Sequence, residues 1–351
     1  MSRNNPPFLR SRPTASPALA LAALIVAASV SAAASVAQSA APTPTLRVTE
    51  VTEDTHPFDT LHCARQLVRV RFIDRMAEVV VNGESRLLTQ AMSASGARYV
   101  APGDDTTELW NKGSFGMLTW SGEELPLCAP SGSIIPPYRA SGNEPFWAVS
   151  YDGWRATLKQ PGRPDLADDA RISDTSSRGQ TLTAGQGAAS WQLEAQDGLC
   201  VDSMSGMPRP QHASVHVDSR TLHGCGGDPD RLLQGASWRI TQIGDRAANE
   251  SAPATIRFLA DGKTAGGTGC NLFFGRYTLT GEGLRFEDMG STRKACAPDL
   301  TAQEDALFTL LGAVNGFSFE GPEARHLRLH AEGADIRARL IMQTGDASAA
   351  H

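Results

Sequence analysis

The sequence predicts a mainly β protein built as three small disulfide-tied domains, the first an antiparallel β-barrel and the third a curved antiparallel sheet with one packed helix. Three observations carry this reading. Short apolar runs alternate with polar residues at a period of two and are punctuated by Gly, Asn and Asp, the pattern of half-buried strands and tight turns. Six cysteines, Cys63, Cys128, Cys200, Cys225, Cys270 and Cys296, all follow the N-terminal apolar segment. Two proline-containing stretches, "APSGSIIPPYRASG" and "GGDPDRLLQG", divide the remainder into units of domain size.

The first 40 residues read as an export signal. Arg3, Arg10 and Arg12 precede the run "ALALAALIVAASV", and small residues, "SVAQSA", suited to a signal peptidase follow. An uncleaved membrane anchor is the weaker reading, because the run is alanine-rich and at the short end for a span. No cysteine closes the apolar run, so no lipid anchor is expected, and the chain is placed in the periplasm or outside the cell. In that oxidising setting an even cysteine count reads as disulfides; six allow about 15 pairings, and chain neighbours are paired here, one bridge per domain. The formal charge of −6 becomes about −9 without the three signal arginines, since removing three positive charges lowers it by three. Such a chain is ill suited to nucleic acid and better suited to a basic partner.

The expected domains run over 46–130, 139–229 and 231–343. In the first, "QLVRVRF" alternates Val68, Val70 and Phe72 against Arg69 and Arg71, and Asn82-Gly83 between apolar runs marks a two-residue hairpin. "SFGMLTWSGEELPLC" adds a strand, a turn and a strand, giving an antiparallel sheet or small barrel whose ends Cys63 and Cys128 would tie together. The second domain holds the strand-like runs "FWAVSYDGWRATL", "ASWQLEAQ" and "ASVHVDS". His212, His216 and His223 lie near Cys200 and Cys225, but His212 and His216 on one strand face are too far apart for simple chelation. They are read as solvent-facing strand residues, with no metal site and no cofactor expected. Ser203 and Ser205 are read as turn residues, since no nucleophile elbow or base accompanies them; the chain is not expected to be an enzyme. In the third domain "TAQEDALFTLLGAV" is the one convincing helix. Thr301 and Glu304 are spaced as a capping box, and Leu307, Leu310, Leu311 and Val314 form an apolar stripe.

Within the first domain, "SGARY" at 95–99 and "LWNKG" at 109–113, framed by Cys63 and Cys128, resemble the MliC/PliC family of inhibitors of C-type lysozyme. The resemblance covers about a quarter of the chain by count of positions. It implies an eight-stranded antiparallel barrel whose two motifs form adjacent loops that enter the lysozyme cleft. On that resemblance the lysozyme-binding set is Ser95, Gly96, Arg98, Tyr99, Trp110, Lys112 and Gly113, with Ser95 and Lys112 approaching the two catalytic carboxyl groups. Tyr99 and Trp110 are taken chiefly as supports, and Arg98 either braces a carboxylate of its own fold or reaches the partner. Read alone, Ser95-Gly96 and Lys112-Gly113 are ordinary turn residues. The connection between the motifs is a few residues longer than the family pattern, through "APGDD". Its acidic residues Asp104, Asp105 and Glu108 are expected to steer a basic lysozyme.

The third domain, with "SW" at 237–238, "GTGCNLFFGRY" at 267–277, "STRKAC" at 291–296 and Glu304 in the following helix, resembles the META domain, of which HslJ is a member. That family implies an envelope location but no activity, and "GTGCN" lacks the ending of a phosphate loop. The middle domain, with "GNEPFW", "CVDSMSG" and "HGCGG", is similar to an uncharacterised envelope domain. The functional expectation is therefore a periplasmic inhibitor of C-type lysozyme. The alternative is a non-catalytic envelope stress module that binds peptidoglycan or protein, with possible cell-wall association.

Overall fold

Hairpins dominate because most strands are joined by turns of two to four residues whose sequences accept left-handed backbone. The computed structural model describes residues 56–341 except Glu282; residues 1–40, expected to be an export signal, lie outside the described residues. Nine strands make the first sheet: β1 Asp59–Cys63, β2 Gln66–Ile73, β3 Met76–Val81, β4 Glu84–Ala91, β5 Ala97–Ala101, β6 Asp104–Lys112, β7 Phe115–Trp120, β8 Glu123–Glu124 and β9 Cys128–Ala129. Their order is β6-β5-β4-β3-β2-β1-β9-β7-β8, and β6 also pairs with β7, so all but the short β8 close into a ring. Asn82 and Gly83 both have positive φ, 53° and 82°, as a mirror-image hairpin turn requires. The interior is filled by Val68, Val70, Val79, Val81, Leu88, Leu109 and Leu118. Burying each such side chain is worth about 1.5–3 kcal/mol before chain entropy is counted.

Topology fixes which turns share an end of this barrel. Successive antiparallel strands run up and down, so the β1–β2, β3–β4, β5–β6 and β7–β8 turns lie at one end. The β2–β3, β4–β5 and β6–β7 connections lie at the other. The first end is plugged by Arg86, which meets Glu84 at 2.7 Å and Asp104 at 2.9 Å and bonds Thr107 and Ser121, with its guanidinium 4.5 Å from the Trp120 ring centroid.

The middle sheet is a closed barrel of eight strands between Tyr138 and Gly226, with Trp147, Trp191, Leu158, Leu182, Leu193 and Val215 in its core. Part of the stretch expected as a boundary is structural: Tyr138–Asn143 is a strand that closes this barrel by pairing with Phe146–Tyr151 and Arg220–Gly226. Ahead of it Ile134 is buried in the same core, and after Pro136-Pro137 Tyr138 and Ala140 turn inward.

In the third sheet the spatial order is Gly283–Ser291, Leu272–Thr280, Lys263–Gly267, Thr255–Phe258, Ser237–Ile243, Ala334–Leu340, His326–Ala331 and Val314–Glu320. The helix α1 Pro298–Leu311 packs Leu307 and Leu311 into its core. It starts and stops three residues earlier than expected, and Val314 belongs to the following strand. Pro298 supplies a preset φ in the first turn, so the capping box does not form. Thr301 instead donates back to the Ala297 carbonyl, and Glu304 accepts from Thr268 at 2.7 Å and Asn271 at 3.0 Å. That carboxylate ties "GTGCN" to the helix. The disulfides are Cys63–Cys128, Cys200–Cys225 and Cys270–Cys296, one in each sheet system.

The three sheets belong to one unit, Glu53–His351. Half-buried Arg231 donates to the carbonyls of Leu127 and His62, both at 2.8 Å. The Arg65 amide donates to the Gln234 carbonyl at 3.0 Å, and Arg257 pairs with Glu123. Between the first two barrels, Asp197 accepts from the Ser131 hydroxyl at 2.6 Å and the Gly132 amide at 2.7 Å. The third sheet therefore joins the first barrel around its β1–β2 turn and β8.

Next to this junction, burial and the neighbouring Asp228 push the Asp230 carboxyl up to about 6, against the opposing bond donated by the Tyr277 hydroxyl at 2.9 Å. In the unfolded chain the group ionises near 3.8. Between those values the native state keeps a proton that the unfolded state has released, so stability falls as pH rises through this window. Asp230→Asn, which preserves the acceptor for Tyr277, is expected to remove that part of the slope. Melting temperatures of both proteins from about pH 4 to 7 check it: the parent should lose ground relative to the variant, and parallel curves would contradict the assignment.

Candidate functional site

The two motifs found in the sequence meet at one end of the first barrel, although they flank different strands. Ser95 lies in the loop before β5 and Lys112 closes β6, while β5 and β6 are antiparallel with Ala97 opposite Asn111 and Arg98 opposite Trp110. The β4–β5 loop and the β6–β7 turn are therefore neighbours. The end they occupy is the one remote from the β1–β2 turn and β8, where the third sheet joins.

The first loop is locked from within. Ser93 Oγ donates to the Gly96 carbonyl at 3.0 Å, and the indole Nε1 of Trp110 donates to the Ser95 carbonyl at 2.8 Å. Gly96 has φ +67°, and a Cβ there would sit 2.4 Å from the Asn111 carbonyl oxygen. Any larger residue would force the first loop off the second motif. Tyr99 is buried and stacks at a tilt against Phe72, with centroids 5.5 Å apart. It supports the barrel wall. The side chain of Ser95 is left exposed.

The second loop is a tight turn at Gly113-Ser114 between β6 and β7, where Lys112 pairs with Phe115. Gly113 has φ +64° with open space around it, so its role is the turn itself. Lys112 is exposed, and among the described residues its ammonium has no ion pair or hydrogen-bond partner. Beside this turn the barrel mouth opens into a cavity of about 300 Å³ lined by Leu61, Val70, Phe72, Leu109 and Asn111.

Arg98 turns out to serve the fold: it makes a two-pronged bond to Glu108, Nε to Oε1 at 2.8 Å and NH2 to Oε2 at 2.7 Å. That bond holds the Glu108 carboxyl below its usual range and raises Arg98. Asp104 is lowered to about 2, chiefly by hydrogen bonds from Thr106 and Thr107. Two of the three residues expected to steer a partner are thus engaged internally, and Asp105 is left exposed. Between the two motifs the β5–β6 pairing has a register shift between Val100 and Ala101. This bulge lies at the plugged end, where Asp104 meets Arg86.

Elsewhere, the middle barrel distributes its candidate residues rather than gathering them. His223 Nδ1 lies 3.0 Å from Ser214 and His216 Nδ1 3.1 Å from Thr221. Ser205 donates to Asp202, and Ser203 accepts from Asn143 at 2.8 Å; both serines belong to one Asp-organised turn. The sequence reading passed over Met92, almost wholly exposed at 95% beside the first motif. An apolar residue opening a loop of small polar ones was the available signal.

Residues 62–126 match the family described as membrane-bound lysozyme-inhibitor of c-type lysozyme. Residues 231–342 match the META domain family. No curated protein matches the chain. Among solved structures, the NMR structure of a protein from Burkholderia xenovorans is 24% identical and covers 32% of this chain and 86% of its own, with a TM-score of 0.29. No helix among the described residues is long and apolar enough to cross a membrane. The chain carries an MliC-type domain of the lysozyme-inhibitor family, on the barrel that presents Ser95 and Lys112 together, followed by a META domain.

Proposed function

We propose that the protein is a periplasmic or secreted inhibitor of C-type lysozyme whose first barrel inserts the Ser95 and Lys112 loops into the catalytic cleft. The observation that carries this reading is the exposed Lys112 ammonium, with no partner among the described residues, on the turn next to the Ser95 loop. A lysozyme works with one carboxyl acid of raised pKa and one ionised carboxylate. An inserted ammonium supplies a countercharge and three donors, and a serine hydroxyl donates to or accepts from the second carboxyl group. Neither step cleaves the inhibitor, so the complex is a dead end. Arg98, Tyr99, Trp110, Gly96 and Gly113 hold the two loops. The net charge, −6 for the whole chain and about −9 without the three arginines of residues 1–40, suits a basic enzyme, with steering falling to the whole surface and Asp105 rather than to the internally bonded Asp104 and Glu108. Residues 1–40 act as the export signal in this reading, ahead of domains at 46–130, 139–229 and 231–343.

Exposed Leu272 and Phe274 on the third sheet favour a second reading, an envelope module that holds peptidoglycan or protein through its META domain. Titrating a C-type lysozyme with the full chain, beside sedimentation with purified sacculi, separates the two. Stoichiometric loss of turnover supports inhibition. Cosedimentation with turnover unchanged supports the envelope module.

A further inference from the structure

We infer that the inhibitory surface extends beyond the two motifs to Met92, Phe115 and Met117, which with Trp110 of the second motif form an apolar collar that packs against the rim of the lysozyme cleft. This rests on the reading of the first barrel as a lysozyme inhibitor. Along β6, Trp110 and Lys112 are two residues apart and so share the outer face. Across to β7, Trp110 is opposite Met117 and Lys112 is opposite Phe115. On the other flank Ala91 pairs with Arg98, which pairs with Trp110, and Met92 follows Ala91 into the Ser95 loop that Trp110 pins. Lys112 thus has apolar neighbours on its outer face. Met92 and Met117 expose 95% and 43% of their surface and so are open to a partner.

Charge and apolarity together select the occupant. An exposed ammonium with Phe115 across from it and Trp110 and Met117 one pair further along fits a partner that brings carboxylates inside a concave, partly apolar surround. An acidic catalytic cleft has that form; a flat polar surface does not. Beside an inserted lysine, such apolar neighbours exclude water and strengthen the ion pair they border. Methionine suits a rim contact because its unbranched thioether adapts to an irregular surface.

The test is the inhibition constant of the full chain against a purified C-type lysozyme, measured for Met92→Gln, Met92→Leu, Lys112→Ala and a remote control, Leu87→Gln, in which a 48% exposed leucine of β4 is changed. Met92 and Leu87 are both exposed, so their variants should fold as the parent does. The collar predicts inhibition weakened about tenfold by Met92→Gln, with Met92→Leu and Leu87→Gln close to the parent. If Met92→Gln inhibits like the parent while Lys112→Ala does not, the collar is wrong and the inhibitor reading stands. If Lys112→Ala also inhibits like the parent, the reading falls and takes the collar with it. Equal weakening by Leu87→Gln would also overturn the collar, because the effect would then not belong to this end of the barrel.

Discussion

Lys112→Ala is expected to weaken inhibition of a C-type lysozyme by a factor of roughly 30 to several thousand, equivalent to about 2–5 kcal/mol for removing one partner of a buried charge pair. The size follows from what would be left behind. In the complex the enzyme's carboxylates would be covered by the barrel end and cut off from water, with no countercharge in reach. In the free protein the same substitution should cost almost nothing, because Lys112 is exposed and bonded to nothing described. The expected signature is an unchanged melting temperature with a raised inhibition constant, mostly through faster dissociation. Ser95→Ala removes a neutral hydrogen bond and should cost less, about 0.5–1.5 kcal/mol. Equal inhibition by parent and Lys112→Ala would remove the mechanism.

The second large effect concerns stability. Cys63 and Cys128 are fully buried, face each other across the β1–β9 pairing and close a sequence separation of 65 residues. On the chain-entropy account, a loop of that length contributes about 4 kcal/mol, a large share of the 5–15 kcal/mol typical of a whole domain. β9 has only two residues, so little else holds the last strand in the ring. Paired Cys63→Ala and Cys128→Ala substitutions should therefore loosen the first barrel before the others. Amide exchange resolves this: protection should fall across β1–β7 and persist in the middle barrel. Exchange rates in β1–β7 matching the parent would contradict it.

Local chemistry made much of the first barrel readable in advance. Val68 and Val70 alternate with Arg69 and Arg71 in the chain and do so in the barrel wall, and Asn82-Gly83 makes the turn its φ tolerance allows. What depended on distant pairing was not readable. Asp104 looked like a steering charge because its partner Arg86 is 18 residues away on another strand. The strand Leu166–Thr175 carries Asp168, Asp169, Arg171 and Asp174; with most of its outer face in water, it lacked an apolar run to announce it. Pro298 moved the helix start because it preset the first turn, while Glu304 was taken by Thr268 and Asn271, contacts that exist only once the sheet has folded. The candidate site divides in the same way. Ser95 and Lys112 were visible as turn residues with useful side chains, but their shared end follows from the up-and-down order of β4 to β7. Met92 passed unnoticed because exposure is a property of the folded loop.

Cleft occupancy itself is the claim on which the rest stands, and competition measures it. The apparent inhibition constant of the full chain should be determined for a C-type lysozyme at rising concentrations of a non-hydrolysed chitin oligosaccharide that fills the cleft. Insertion of the Ser95 and Lys112 loops predicts a linear rise, since sugar and barrel end cannot occupy the cleft together. A constant that stays flat as the cleft fills would place the barrel elsewhere on the enzyme and contradict the account.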